Sequence, residues 1–344
     1  MSDAVFQFEE RLSGRRVVLY GAGNAAVDLL GTFQARGVAV TCVCDGKKRG
    51  TFGSDAIPII SPEKLAHDYH DAVVIVSSLN YGNEIFTNLI GLGFSRNQIE
   101  LYPRAYVFEK HRNDYDQAYK FFTDERSRQL VMDRARFYID GTPLEINSTS
   151  PRYYEEGFIT LSENEVFVDG GACEGDSALQ FIDRANSRYA RIYAFEPDAV
   201  NYGKAVRALS GFPAIEFIQK GLWSADTELF FAGNDADRAA SAFLTSGESD
   251  VRVPVISLDT FLKDRPDTEW PTFIKLDVEG AEKETLLGAA EIIRRSRPKL
   301  AISAYHKPED LYELPRTIAG IRDDYRFCLR HHYAGEWDTI LYAA

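Results

Sequence analysis

The chain has 344 residues, enough for about two domains of ordinary size. Its composition, 45% hydrophobic and 26% charged, is that of a globular protein with large buried cores. With 39 Lys and Arg against 52 Asp and Glu the formal charge is −13, which repels phosphate backbones and anionic lipid and argues against nucleic acid or a membrane surface as the main partner.

In chain order, the segment MSDAVFQFEERLSGRR carries acidic residues and no apolar centre, so a secretory leader is not expected. No apolar run approaches the roughly 18 residues of a membrane-spanning helix. From Arg15 the run RRVVLYGAG is apolar and ends in glycines, as in a strand covered on both faces of a parallel sheet. A helical pattern, NAAVDLLGTFQARG, follows, then a strand VAVTCVCD ending in Asp45. DAVVIVSSL is a further buried strand, and NEIFTNLIGLG a helix closed by glycine. This alternation predicts a doubly wound first domain over residues 1–105. Cys42 and Cys44 alternate on one strand, and with Cys173 and Cys328 they are too scattered for a disulfide framework or a zinc site. Free thiols in a reducing cytoplasm are the expectation.

Residues 106–150 change character. Ala118, Phe121, Phe122, Leu130, Val131, Ala135 and Tyr138 recur at three- and four-residue steps, which predicts a helical connector. A second domain is expected over 151–344. EVFVD, RIYAFEP, AIEFIQKGLW, TFIKLD and KLAISAYH are buried strands, several separated by helical stretches, with a polar insertion AGNDADRAASAFLTSGESD before VRVPVISL. YRFCLRHH and DTILYAA follow each other without a crossover helix and suit an antiparallel edge hairpin, giving a mostly parallel sheet of seven strands.

Ligands of open α/β sheets bind beyond the carboxyl ends of the strands, so those ends hold the candidate residues. In DGGACEGD, Gly170, Gly171 and Gly175 allow a tight turn with close backbone approach, while Asp169, Glu174 and Asp176 would repel a pyrophosphate. An acid-fringed glycine turn suits a cationic ligand, and S-adenosylmethionine has both an ammonium and a sulfonium. Glu196 lies 196 − 175 = 21 residues beyond Gly175, the offset at which an acidic strand end accepts the hydroxyls of an adenosine ribose. Together these features predict an adenosine-type site.

VFVDGGACEGD, YAFEPD, FIKLDVEGAEKETLLGA, PKLAISAYHKPEDLYELP and LRHHYAGEWDTILYAA, in that order, resemble the FkbM family of S-adenosylmethionine-dependent O-methyltransferases. The resemblance departs at Cys173, where many relatives carry Asn or Phe. The resemblance spans residues 151–344 and implies a seven-strand methyltransferase sheet there; with the alternation of the first domain, the expected architecture is α/β, two doubly wound Rossmann-like domains, the second with an antiparallel edge hairpin. It also implies that Asp169, Gly171 and Ala172, with Gly170 and Gly175 of the same turn, line the methionine part of the cofactor. Glu196, next to Pro197, would hold the ribose, and Lys220, Gly221 and Leu222 would border the adenine. Asp277 would sit under the transferring methyl group. His306, at the mouth of a strand, is the candidate general base, since an ordinary imidazole titrates near neutrality. Glu279 and Glu282 suit the first turn of a helix, where the dipole favours acids. A divalent site using Asp277 and His306 is the lesser alternative, and no metal is expected.

In the first domain, Gly21-Ala-Gly23-Asn24-Ala-Ala26 fits the dinucleotide fingerprint after a strand, with Asp45 ending the next one. The pattern resembles small Rossmann-like domains of sugar-modifying and polysaccharide-biosynthesis proteins, so a nucleotide sugar is the implied ligand class. Ser77, Ser78 and Asn80 could line the same edge. The expected acceptor is therefore a small molecule, a saccharide or nucleotide-linked sugar, and self-association is left open. Two competing readings remain: an NAD-dependent sugar oxidoreductase or epimerase, for which Tyr106 to Lys110 fits Tyr-x-x-x-Lys, and a non-catalytic nucleotide sensor.

Overall fold

The computed structural model describes residues 3–78, 81–232, 242–244 and 252–344. By its internal contacts the chain divides into two units, Met1–Arg112 with Ala135–Gly141, and Asn113–Arg134 with Thr142–Ala344.

The first unit holds strands β1 (Val17–Tyr20), β2 (Cys42–Cys44), β3 (Gly50–Phe52), β4 (Ile57–Ile60), β5 (Val73–Val76) and β6 (Ile99–Glu100). They form one sheet in the order β3-β4-β2-β1-β5-β6, parallel except for β3 against β4. The period of two along β1 sends alternate residues to opposite faces. Val17 and Leu19 join Leu29, Phe33, Val43, Ile75 and Tyr106 in one buried cluster, while Val18 joins Cys42, Cys44, Leu65, Val74 and Leu89 in another. Two covered faces explain why β1 and β5 are apolar throughout.

The second unit contains β7 (Val166–Gly170), β8 (Arg191–Phe195), β9 (Ile215–Ile218), β10 (Gly221–Leu222), β11 (Thr227–Ala232), β12 (Ala242–Leu244), β13 (Arg252–Ile256), β14 (Phe273–Leu276), β15 (Lys299–Ser303), β16 (Phe327–His331) and β17 (Thr339–Ala343). Seven of them make a sheet in the order β16-β17-β15-β14-β7-β8-β9. Its core strands are parallel, and β17 runs antiparallel between β15 and β16. The strand order reverses between β7 and β14, so a crevice opens beyond their carboxyl ends. A smaller sheet, β10-β13-β11-β12, follows directly from β9. Most of the polar insertion expected after β11 lies outside the described residues.

The segment expected as a separate connector, 106–150, is helical over Arg112–Ala118 and Glu125–Asp140 but is shared between the units, whose divide falls inside the longer helix. Buried polar contacts assign its first half. Arg134 donates to the Thr339 hydroxyl and the Glu336 carbonyl, and Arg330 donates to Asp124 and the Ser127 hydroxyl. Among the described residues no helix is long and apolar enough to cross a membrane.

Candidate active site

The turn after β7 is shaped by contact with its neighbours. Gly171 has φ +74°, and a Cβ there would lie 1.9 Å from the carbonyl oxygen of Asp277, so the turn crosses the end of β14 at a distance only glycine permits. The N–H groups of Gly171 and Ala172 donate to the carbonyl of Phe195 at the end of β8 (3.1 and 2.9 Å). Cys173 and Asp198 donate backbone N–H bonds to the two carboxylate oxygens of Glu196 (2.8 and 2.9 Å). These bonds aim Glu196 into a cavity of about 280 Å³. Of the residues expected from sequence, Gly171, Glu196, Pro197, Gly221, Leu222 and Asp277 line that cavity.

Gly170, Ala172, Gly175 and Lys220 do not line it. Gly170 and Gly175 serve packing instead, since a Cβ at Gly170 would meet Leu276 at 2.8 Å and one at Gly175 would meet Leu209 at 3.1 Å. Asp169 corrects the expectation of an acid facing the ligand. It is fully buried, accepts bonds from Lys275 Nζ (2.9 Å) and the Ser177 hydroxyl (2.6 Å), and does not reach the cavity. Lys275 faces it because β7 and β14 pair in register at these two positions. Burial opposes the charge of Lys275, but Asp169 and Asp277 outweigh it and hold the ammonium above the ordinary lysine range. The same ammonium donates to the carbonyls of Gly170 and Gly171, so it braces the turn from beneath.

Asp277, at the end of β14, accepts bonds from the hydroxyls of Tyr153 (2.8 Å) and Tyr305 (3.1 Å). Burial works against its charge, but Lys275 and His306, with the Tyr153 bond, keep it below the usual carboxylate range. Glu279 lines the cavity in a left-handed conformation, φ +53°, ahead of the helix Glu282–Leu287. Burial pushes its pKa up to about 7, against the pull of His306 and with Asp277 and Glu282 adding.

His306 also departs from expectation. It does not line the cavity, and its ring is enclosed by Glu282 (Oε1 3.0 Å from Nδ1), Glu279 (3.4 Å from Nε2) and Asp277 (3.6 Å from Nε2). Burial disfavours the imidazolium, but the three carboxylates overcome this and carry the pKa up to about 10. With these partners alone the ring is already protonated at neutral pH, so it does not serve as a neutral base.

In the first unit the fingerprint glycines sit at the end of β1, with Gly21 in a left-handed conformation against Ser77. The Asp45 carboxylate is used by its own chain, accepting N–H bonds from Ala22, Lys47 and Lys48 (2.9, 2.8 and 2.9 Å), while Lys48 Nζ donates to the Ala22 carbonyl. The acid expected at the nucleotide site therefore closes its own loop. Gly23 caps the helix Asn24–Ala35, while the Asn24 side chain and Asn80 lie outside the described residues.

Residues 169–339 match the family model described as Methyltransferase FkbM domain. Through these residues the chain belongs to the FkbM methyltransferase family. Residues 13–100 match a second model, C2185-like, N-terminal. The crystal structure of methyltransferase FkbM from Methylobacillus flagellatus KT is similar over 100% of this chain and 94% of that one, at 24% identity and a TM-score of 0.57, so the two share a fold. Fibrillarin from Aeropyrum pernix in complex with natively bound S-adenosyl-L-methionine covers 55% of this chain and 71% of its own (13% identity, TM-score 0.36). Precorrin-6y C5,15-methyltransferase from Geobacter metallireducens GS-15 covers 54% and 81% (12% identity, TM-score 0.34). No curated protein matches the sequence.

The FkbM domain thus makes this chain a methyltransferase. Its cavity includes residues that sequence reading passed over: Arg152, Ser177, Asn201, Lys275 and Tyr305. A signal existed for Lys275, a lone cation inside the otherwise apolar strand FIKL, and for Tyr305, which directly precedes His306. For Arg152, Ser177 and Asn201 the sequence carries none, because their place at the cavity depends on long-range packing.

Proposed function

We propose that the chain transfers a methyl group from S-adenosylmethionine to a hydroxyl of a saccharide or nucleotide-linked sugar. One observation carries the donor reading: Glu196 ends β8 facing the cavity with each carboxylate oxygen already accepting one backbone N–H. Each oxygen keeps an acceptor position for one hydroxyl of a vicinal diol, the arrangement a ribose needs. Leu222 and Pro197 offer apolar walls to the adenine, and Asp277, Glu279 and Asp176 supply the carboxylates that favour a sulfonium and an ammonium.

Methyl transfer to oxygen is an in-line displacement at a carbon that the sulfonium already activates. The protein's part is to hold donor and acceptor in line, and Asp277 is the group to accept the acceptor's hydroxyl hydrogen. Tyr153 and Tyr305 fix that carboxylate in place. The acceptor reading draws support from Trp337, 55% exposed and edge-on to Tyr305 with ring centroids 6.1 Å apart. An exposed indole beside a polar cavity offers an apolar face to the C–H face of a sugar ring while leaving its hydroxyls wet. The self-closed Asp45 loop speaks against an NAD reading.

Calorimetric titration tests the donor. S-adenosylmethionine should bind and NAD should not, and Glu196→Ala should weaken donor binding by about 1.5–3 kcal/mol, roughly 10- to 100-fold. Normal binding by the variant, or binding of NAD alone, refutes the reading. Label transfer from methyl-labelled donor to a panel of nucleotide sugars, free glycans, small phenols and RNA then tests the acceptor, and labelling confined to the last two refutes the saccharide.

A further inference from the structure

Behind the cavity wall four acidic side chains surround one imidazole. Asp277 and Glu279 come from the turn after β14, Glu282 from the first turn of the following helix, Asp310 from the helix Asp310–Ile321, and His306 from the turn after β15. His306 and Glu282 are more than nine-tenths buried, with side-chain exposures of 8% and 1%. Their polar atoms are not used up by the fold. Glu282 Oε1 accepts the Val278 N–H (2.9 Å), but Oε2 has no hydrogen-bond partner. Neither His306 nitrogen has a partner in hydrogen-bonding geometry, although carboxylate oxygens lie 3.0–3.6 Å away. Asp310, 4% exposed, accepts the Lys307 N–H (2.8 Å) and adds a further carboxyl to the rear of the cluster.

Buried polar atoms are costly unless paired, and four acids outnumber the one imidazole at their centre. The lysines close by are engaged: Lys275 bonds Asp169 and two carbonyls, and Lys307 Nζ donates to the Gly280 carbonyl. One ligand atom from each of Asp277, Glu282 and His306 lies within 4.8 Å of the other two. An ion with bonds of about 2.1 Å spans about 4.2 Å between opposite ligands, so a small contraction brings all three onto one centre.

We propose that Asp277, Glu282 and His306 bind a divalent metal ion of the Mn²⁺ to Zn²⁺ class. Two carboxylates with one imidazole form a mixed oxygen and nitrogen set, which suits a first-row transition ion better than Ca²⁺. Glu279, with Oε2 3.4 Å from His306 Nε2, stands on the cavity side, where it can complete the shell. The ion would present its remaining positions to the cavity beside Asp277. That function rests on the methyl-transfer reading above, in which an acceptor hydroxyl would take one of those positions and be polarised there. The binding itself does not depend on that reading.

The test uses the full chain, stripped with a chelator and titrated with Mn²⁺. Equilibrium dialysis and the loss of the free-ion electron paramagnetic resonance signal should give one ion per chain. Spin-echo modulation should show coupling to one imidazole nitrogen. His306→Gln should abolish that coupling, and Glu282→Gln should weaken binding by about 10- to 100-fold. Absence of binding up to millimolar Mn²⁺, unaltered binding in both variants, or a bound ion without nitrogen coupling overturns the proposal. If both variants fail to fold, the modulation of the wild-type protein decides alone. Calorimetry with S-adenosylhomocysteine, run with and without Mn²⁺, separates failure of the metal site from failure of the donor site.

Discussion

Lys275 is the side chain on which the site's interior rests. Its ammonium is buried against Asp169 and holds two carbonyls of the glycine turn. Removing one partner of such a pair leaves the other charge stranded, a loss of about 3–5 kcal/mol. Lys275→Met should therefore lower stability to urea by that amount. Lys275→Met combined with Asp169→Asn should recover a large part of it, whereas strictly additive effects would show that the two groups do not act as a pair. The same residue shows why the sequence misplaced Asp169. A carboxylate at the end of an apolar strand looks solvent-facing until its partner is known, and that partner lies 106 residues away. The register of β7 against β14 brings them together, and no local pattern encodes it. For His306 the reason is similar: its position at a strand end is legible, but the acids that protonate it lie on the turn and helix start at 277–282, brought against it by the pairing of β14 with β15.

At the scale of elements, the strand ends of the second unit were legible because buried parallel strands are continuous apolar runs punctuated by glycine and acid. The 21-residue offset from Gly175 to Glu196 survives as geometry, since both residues flank the same carboxyl edge. The glycines of the turn are less alike than their spacing suggests. Gly171 alone faces a main-chain oxygen at 1.9 Å from a would-be Cβ, in a left-handed conformation. Gly171→Ala must therefore displace the end of β14 or the turn itself. The expected outcome is a loss of donor binding of at least 10-fold by calorimetry, with a lower melting temperature. An alanine variant that binds and melts like the parent would show that the crossing is looser than described. The helical segment before the second unit shows its period in the sequence but not what it packs against. Arg134 and Ser127, polar residues that a periodicity argument ignores, carry the bonds to β17 and β16.

For the whole molecule, the pH dependence of stability combines opposing contributions. His331 is fully buried with its ring against the Thr339 hydroxyl, and burial, helped by Arg134, lowers its pKa from 6.5 to about 4. Between those values the unfolded chain binds a proton that the folded chain refuses, so this group's contribution falls as pH drops from about 7 to 4. The total is about 3 kcal/mol. Glu279 and Asp310, each raised to about 7 mainly by burial, act in the other direction, gaining stability as pH falls through the same range. The His331 term is therefore read as a difference. Denaturation midpoints of the parent and of His331→Asn, compared at pH 7 and pH 4.5, should show a smaller acid loss in the variant. Equal losses would mean that the ring is protonated in the fold.

Cys173 gives the cavity a chemical handle. Of the four thiols it alone is not fully buried, and it lies in the wall beside Glu196. Burial and the neighbouring acids push its pKa up to about 11, so little thiolate exists at neutral pH and general alkylating reagents will react slowly. An electrophile mounted on an adenosine scaffold would instead be held against this sulfur long enough to capture it, labelling one position while the remaining cysteines stay shielded.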